Sequence, residues 1–146
     1  MFSAYCPDLL LGQCLTDVAR TPDFIVRWTF SGRTSPYILQ TYCGFRVTHE
    51  GETILTQRML YTRTDFDDPL THANRRFDHD VVRLTSLLPV KIVSVKCSNT
   101  NDLILCAENH LRIEIFADAP PVCEDWRFGP QDDVRLSAFT DCVHLK

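Results

Sequence analysis

"TNDLILCAENHLRIEIFAD", residues 100–118, is the stretch that decides the fold. Apolar letters alternate on both sides of Glu108-Asn109-His110, the period-2 pattern of a β-hairpin. Asn and His are among the few non-glycine residues that accept φ > 0, so Asn109-His110 read as the two central residues of the turn. That reading places Cys106 opposite Ile113 and Ile104 opposite Ile115, with Leu111 completing an apolar face. Leu105 then meets Glu114, and Ala107 meets Arg112, on a half-wet face. His110 is taken as a turn residue.

Working outward, "GQCLTDVARTPDFIVRWTF" (12–30) predicts two strands around Pro22-Asp23, with Phe24, Val26, Trp28 and Phe30 on one face. "YILQTYCGFRVTHEGETILTQRMLYT" (37–62) predicts one long strand, a turn at His49-Glu50-Gly51 and a returning strand. "DFDDPLTHANRRFDHDVVRLTSLLP" (65–89) changes character. Asp68-Pro69 suits a helix start and Asp78 a second cap, while Val81, Leu84 and Leu88 fall at helical spacing until Pro89 ends the run. Beyond the quoted hairpin, "CEDWRF" (123–128) reads as a strand past Pro120-Pro121, and the tail 133–146 as an edge strand.

These readings predict an α+β fold in one domain, 1–146: a curved antiparallel sheet of about seven or eight strands with one or two short helices from 65–88. A faint internal echo suggests two similar β units. Leu10, Leu11, Leu15 and Val18 recur 77 positions later as Leu87, Leu88, Ile92 and Val95. After a two-residue insertion, Asp23-Phe24-Ile25-Val26 then meets Asp102-Leu103-Ile104-Leu105.

Hydrophobic residues make up 45% and charged residues 23% of the 146, which fits a globular chain and argues against disorder. A net charge of −4 without any cluster of Lys and Arg beyond Arg75-Arg76 argues against nucleic acid as the partner. No apolar run approaches a membrane span. "LLLGQC" (9–14) imitates a lipoprotein signal but lacks a basic flank and carries Gln13 where a small residue belongs, so the expectation is a cytoplasmic protein. Seven cysteines, odd in number and without C-x-x-C spacing, fit neither zinc nor a disulfide framework. They are expected reduced and largely buried, with Cys43, Cys97 and Cys106 acting as small hydrophobes.

Three constellations could carry chemistry. Asp65, Asp67, Asp68, His72, Asp78, His79 and Asp80 crowd one segment, where a hard metal or a histidine base is conceivable. The spacing matches no ligand loop, so caps and a solvated loop are the simpler account, and no metal or cofactor is expected. Cys142 and His144 could pair as thiol and base, yet alternate residues on a strand need not meet. The third is "CEDWRFGPQDDVR" (123–135), where Glu124, Asp125, Asp132 and Asp133 bracket Trp126. An acidic rim around an aromatic suits a basic protein surface, the aromatic supplying binding energy and the rim steering the encounter; the competing assignment buries Trp126 in the core.

At 100–118 followed by "CEDWRF" the chain resembles small β-rich bacterial immunity proteins encoded beside polymorphic or contact-dependent toxins, over residues 100–128. It departs from them in carrying His110 where such hairpins commonly have glycine. The resemblance implies a cytoplasmic, non-enzymatic protein that binds and neutralises a cognate toxin domain, and it carries over no binding residues. The other reading is a small enzyme using the Asp/His-rich segment 65–80, with or without a divalent metal.

Overall fold

The computed structural model describes residues 6–21, 25–56, 72–117 and 126–132, with the backbone alone for 72–76. A short 3-10 turn (Pro7–Leu10) leads into β1 (Cys14–Arg20), β2 (Val26–Phe30), β3 (Tyr37–Thr41), β4 (Gly44–His49) and β5 (Glu52–Thr56). Then come α1 (His72–Thr85), β6 (Val90–Cys97), β7 (Leu103–Ala107), β8 (Leu111–Phe116) and β9 (Trp126–Pro130). The strands form one antiparallel sheet of nine in the order β5-β4-β8-β7-β6-β1-β2-β3-β9. The mainly antiparallel β architecture with a helix is thus as the alternation predicts. The tail 133–146, expected as an edge strand, lies outside the described residues.

β1 and β2 pair from Arg20↔Val26 to Leu15↔Phe30, and Val26, Trp28 and Phe30 are all buried, so the face assigned to the second strand holds. Phe24 lies outside the described residues. The β4–β5 turn is also as expected. His49 pairs with Glu52 across a two-residue loop in which Glu50 (φ 52°) and Gly51 (φ 82°) both take the left-handed conformation that such a hairpin requires.

The β7–β8 hairpin corrects the expected register by one residue. Asn109 (φ 64°) and His110 (φ 60°) do adopt positive φ, but the turn takes three residues, Glu108–His110. Leu103 therefore faces Ile115, Leu105 faces Ile113 and Ala107 faces Leu111, and these six residues are the buried ones. Ile104 and Cys106 point outward beside Glu114 and Arg112. The reason is legible in the letters: β8 alternates strictly, whereas Leu103–Ala107 is apolar on both faces and leaves the register to the turn. The backbone N–H of Glu50 donates to the His110 carbonyl at 3.1 Å, tying the two hairpin tips together.

A second correction concerns 37–49, expected as one strand. It breaks at Tyr42-Cys43, and its halves join different neighbours: β3 pairs with β2 and β9, β4 with β5 and β8. β3 and β4 are six strand spacings apart in the sheet order. In a flat sheet that is about 29 Å, while the chain from Thr41 to Gly44 reaches at most ~11 Å. The sheet must therefore fold over on itself, and the core fills the space between its two layers. Trp28 of one layer meets Phe45 of the other edge-on, ring centroids 5.2 Å apart. Bulges between Leu15 and Asp17 in β1 and between Ile92 and Ser94 in β6 fall where the layers join, the device by which strands bend.

α1 packs against β5 and β1, with Phe77 and Leu84 fully buried and Val81 partly so. Asp78 is mid-helix rather than a cap, and its carboxylate takes both arms of the Arg20 guanidinium at 2.9 and 3.0 Å, fastening the helix to β1. Asp68 and Pro69 lie outside the described residues. Among those described, no helix is long and apolar enough to cross a membrane.

Candidate functional site

Trp126 belongs to the core. Its position alternates with Phe128 on β9, opposite Thr41 and Leu39, and only 1% of it is exposed. Its indole N–H donates to the Asn101 carbonyl at 2.8 Å, which satisfies the one polar atom such a buried ring carries. Of the acids expected around it, Asp132 is exposed at the turn after β9 and accepts a 3.3 Å hydrogen bond from the Ser35 hydroxyl. Glu124, Asp125 and Asp133 lie outside the described residues.

The Asp/His segment does not converge where it is described. Asp78 is engaged by Arg20, His79 is 80% exposed, and Asp80 is buried with one carboxylate oxygen 3.0 Å from Nδ1 of His79. Asp65, Asp67, Asp68 and the side chain of His72 are not among the described parts, nor are Cys142 and His144. Among the described residues no three His, Cys, Asp or Glu side chains are grouped to hold a metal ion.

The cysteines are less uniformly buried than expected. Cys43 is buried and Cys14 and Cys106 are half-buried, but Cys6 and Cys97 are exposed; Cys123 and Cys142 are outside the described residues. Partial burial, reinforced by the nearby Cys6, Asp8 and Asp102, pushes the Cys97 thiol above its usual range. A lower thiolate fraction means slower alkylation. At neutral pH iodoacetamide is therefore expected to modify Cys6 before Cys97, and Cys43 only after denaturant is added, as peptide mapping over a time course would show; equal rates at Cys6 and Cys97 would contradict this.

The outer face of β4, β8, β7 and β6 combines charged and apolar side chains. Its rows run Arg46, Glu114, Ile104, Lys96 and Thr48, Arg112, Cys106, Ser94. Arg46 donates twice to Glu114 Oε1, from Nε at 3.0 Å and Nη2 at 2.9 Å, and its guanidinium lies 5.5 Å from the centroid of the exposed Phe116 ring. Arg112 approaches the other Glu114 oxygen at 3.6 Å. One carboxylate thus binds Arg46 and attracts Arg112, both half-exposed, and Lys96 adds a third cation. The other layer differs in part: Ile38, Arg127 and Gly129 on its outward side are buried, whereas Arg27 is exposed and Thr29 and Gln40 are half-buried. Sequence reading missed this face because Arg46 and Glu114 are 68 residues apart and become neighbours only through the β4–β8 pairing.

No protein-family model, curated protein or solved structure matches the chain.

Proposed function

We propose that the protein is a binding module that holds another protein on the outer face of β4, β8, β7 and β6, and that it acts as an immunity protein that neutralises a toxin domain. The binding reading is carried by one observation: Phe116 stands exposed under the Arg46 guanidinium on that face, and Arg46 and Arg112 share the Glu114 carboxylate beside it. An aromatic flanked by arginines is the composition of an interface centre, and side chains already held in place lose little freedom on docking. The toxin-neutralising role comes from the resemblance over 100–128. The module is read as two similar β units.

A basic toxin surface is the complement expected for the acids of 123–135, of which Asp132 is described and exposed, and the sheet face calls for a second complement. That expectation rests on Asp132 and on acids outside the described residues, whereas Glu114 is already shared by Arg46 and Arg112, so the exposed charge of the sheet face is positive. An acidic patch on the toxin domain is its complement. The test is surface plasmon resonance against a toxin-like domain encoded next to this gene. Arg46→Glu with Arg112→Glu is expected to slow association and reverse its salt dependence, and Phe116→Ala to speed dissociation. Phe116→Ala should stay close to the parent in stability, whereas the double variant leaves the largely buried Glu114 carboxylate among like charges and is expected to lose about 1–3 kcal/mol, so the rates are compared at a temperature where both are fully folded. Unchanged rate constants in a folded double variant would remove this face.

A further inference from the structure

The register of the sheet carries a regularity that amphipathic alternation does not require. In β1–β2, Leu15 pairs with Phe30, Asp17 with Thr29 and Arg20 with Val26. Adding 77 to every number gives Ile92 with Ala107, Ser94 with Cys106 and Cys97 with Leu103, which are the observed pairs of β6–β7. The bulge recurs at the same place, skipping Thr16 in one and Val93 in the other. The turns match as well: Thr21 N–H donates to Ile25 O at 2.7 Å, and Ser98 N–H to Asp102 O at 2.9 Å. So do the turns leading in, where Leu11 N–H reaches Asp8 O and Leu88 N–H reaches Thr85 O, both at 3.1 Å. The offset stays constant through Val26 and Leu103, so the two-residue insertion expected from the sequence echo is absent.

The correspondence extends to the later strands. Tyr37, Leu39 and Thr41 of β3 fall on Leu111, Ile113 and Ile115 of β8, the change of offset matching the shorter turn between β7 and β8. Phe45 and Val47 of β4 fall on Trp126 and Phe128 of β9, because β4 pairs with β8 as β9 pairs with β3. At the centre of the sheet the pair Cys14↔Lys91 is its own image. The image of Leu15↔Val90 is Gln13 with Ile92, and Ile92 N–H does donate to Gln13 O at 2.8 Å. A pseudo-twofold axis therefore passes between Cys14 and Lys91. Outward from it the order is β1-β2-β3-β9 on one side and β6-β7-β8-β4 on the other.

We infer that the chain is one four-stranded β unit used twice, the two copies sharing a sheet by exchanging their fourth strands, so that it is a single-chain form of a strand-exchanged dimer. The link between β3 and β4 gives the physical reason for exchange. A two-residue hairpin needs positive φ at its centre, and neither Tyr42 nor Cys43 has it. The chain runs on and delivers β4 to the other unit instead of folding back beside β3, the behaviour of a short hinge in domain swapping.

This inference deepens the reading as two similar units and does not depend on the binding face, and its test needs no partner. A protease site inserted between β5 and α1 would let the folded full chain be cut once between the units. The fragments are expected to elute together as one species with a melting temperature that falls on dilution, because each holds a strand of the other's sheet. Fragments that separate in native buffer while each keeps its β circular dichroism would overturn the exchange. Two cysteine pairs in the uncut chain cover the case in which the insertion prevents folding. Arg46→Cys with Glu114→Cys, and its image Gln40→Cys with Arg127→Cys, are both expected to yield the designed disulfide on mild oxidation, read by peptide mapping. Neither disulfide forming would overturn the exchange, and only one forming would overturn the equivalence of the units.

Discussion

Leu105→Asp is expected to abolish the cooperative thermal transition, while Ile104→Asp, one residue away, lowers the melting temperature by only a few degrees. Leu105 has 0% exposure and faces Ile113, also at 0%, inside the folded sheet, whereas Ile104 lies on the outer face between Glu114 and Lys96. Removing the Leu105 side chain alone costs about 2–5 kcal/mol. A carboxylate in its place adds the penalty of an unpaired charge among apolar neighbours, which is several kcal/mol even after protonation relieves part of it. Together these rival the ~5–15 kcal/mol that holds a domain folded. Urea unfolding followed by tryptophan fluorescence checks the pair. If Ile104→Asp proved the more damaging, the two-residue turn and its register would be the right ones after all.

The second large effect belongs to Trp126. Trp126→Ala is expected to destabilise by about 3–5 kcal/mol, the range for emptying a buried aromatic site. Trp126→Phe keeps most of the volume but removes the indole N–H that donates to the Asn101 carbonyl at 2.8 Å, for an expected loss of about 0.5–1.5 kcal/mol. Denaturant titrations of both variants separate packing from hydrogen bonding. Partner affinity, measured at a temperature where each variant is fully folded, is expected to be unaltered. A Trp126→Ala protein with parental stability and weakened binding would return this residue to the surface role that its acidic neighbours suggest.

Local chemistry made much of the fold legible. Strict alternation in Leu111–Phe116 and Val26–Phe30 named the buried faces, and the left-handed tolerance of Asn109, His110 and Gly51 located the turns, though not the three-residue length of the one at Glu108–His110. The helical spacing of Val81 and Leu84 placed α1. Each of these signals depends on neighbours a few residues away, so the sequence alone determined it. The candidate site was not legible in this way. Its central contact joins Arg46 to Glu114 across a pairing between β4 and β8 that no local pattern announces.

What only the tertiary structure decided shares a single physical cause. Leu103–Ala107 is apolar on both faces, so the core chose which face to bury. The odd positions from Tyr37 to Val47 keep to one buried face without a break in phase, so only the packing of two layers revealed the break at Tyr42-Cys43. Trp126 suits either a surface or an interior, and the strand beside it settled the matter. Alternation determines that a strand has an inside, whereas the partner against which that inside packs is set by burial summed over the whole chain, and that sum exists only once the sheet has folded onto itself.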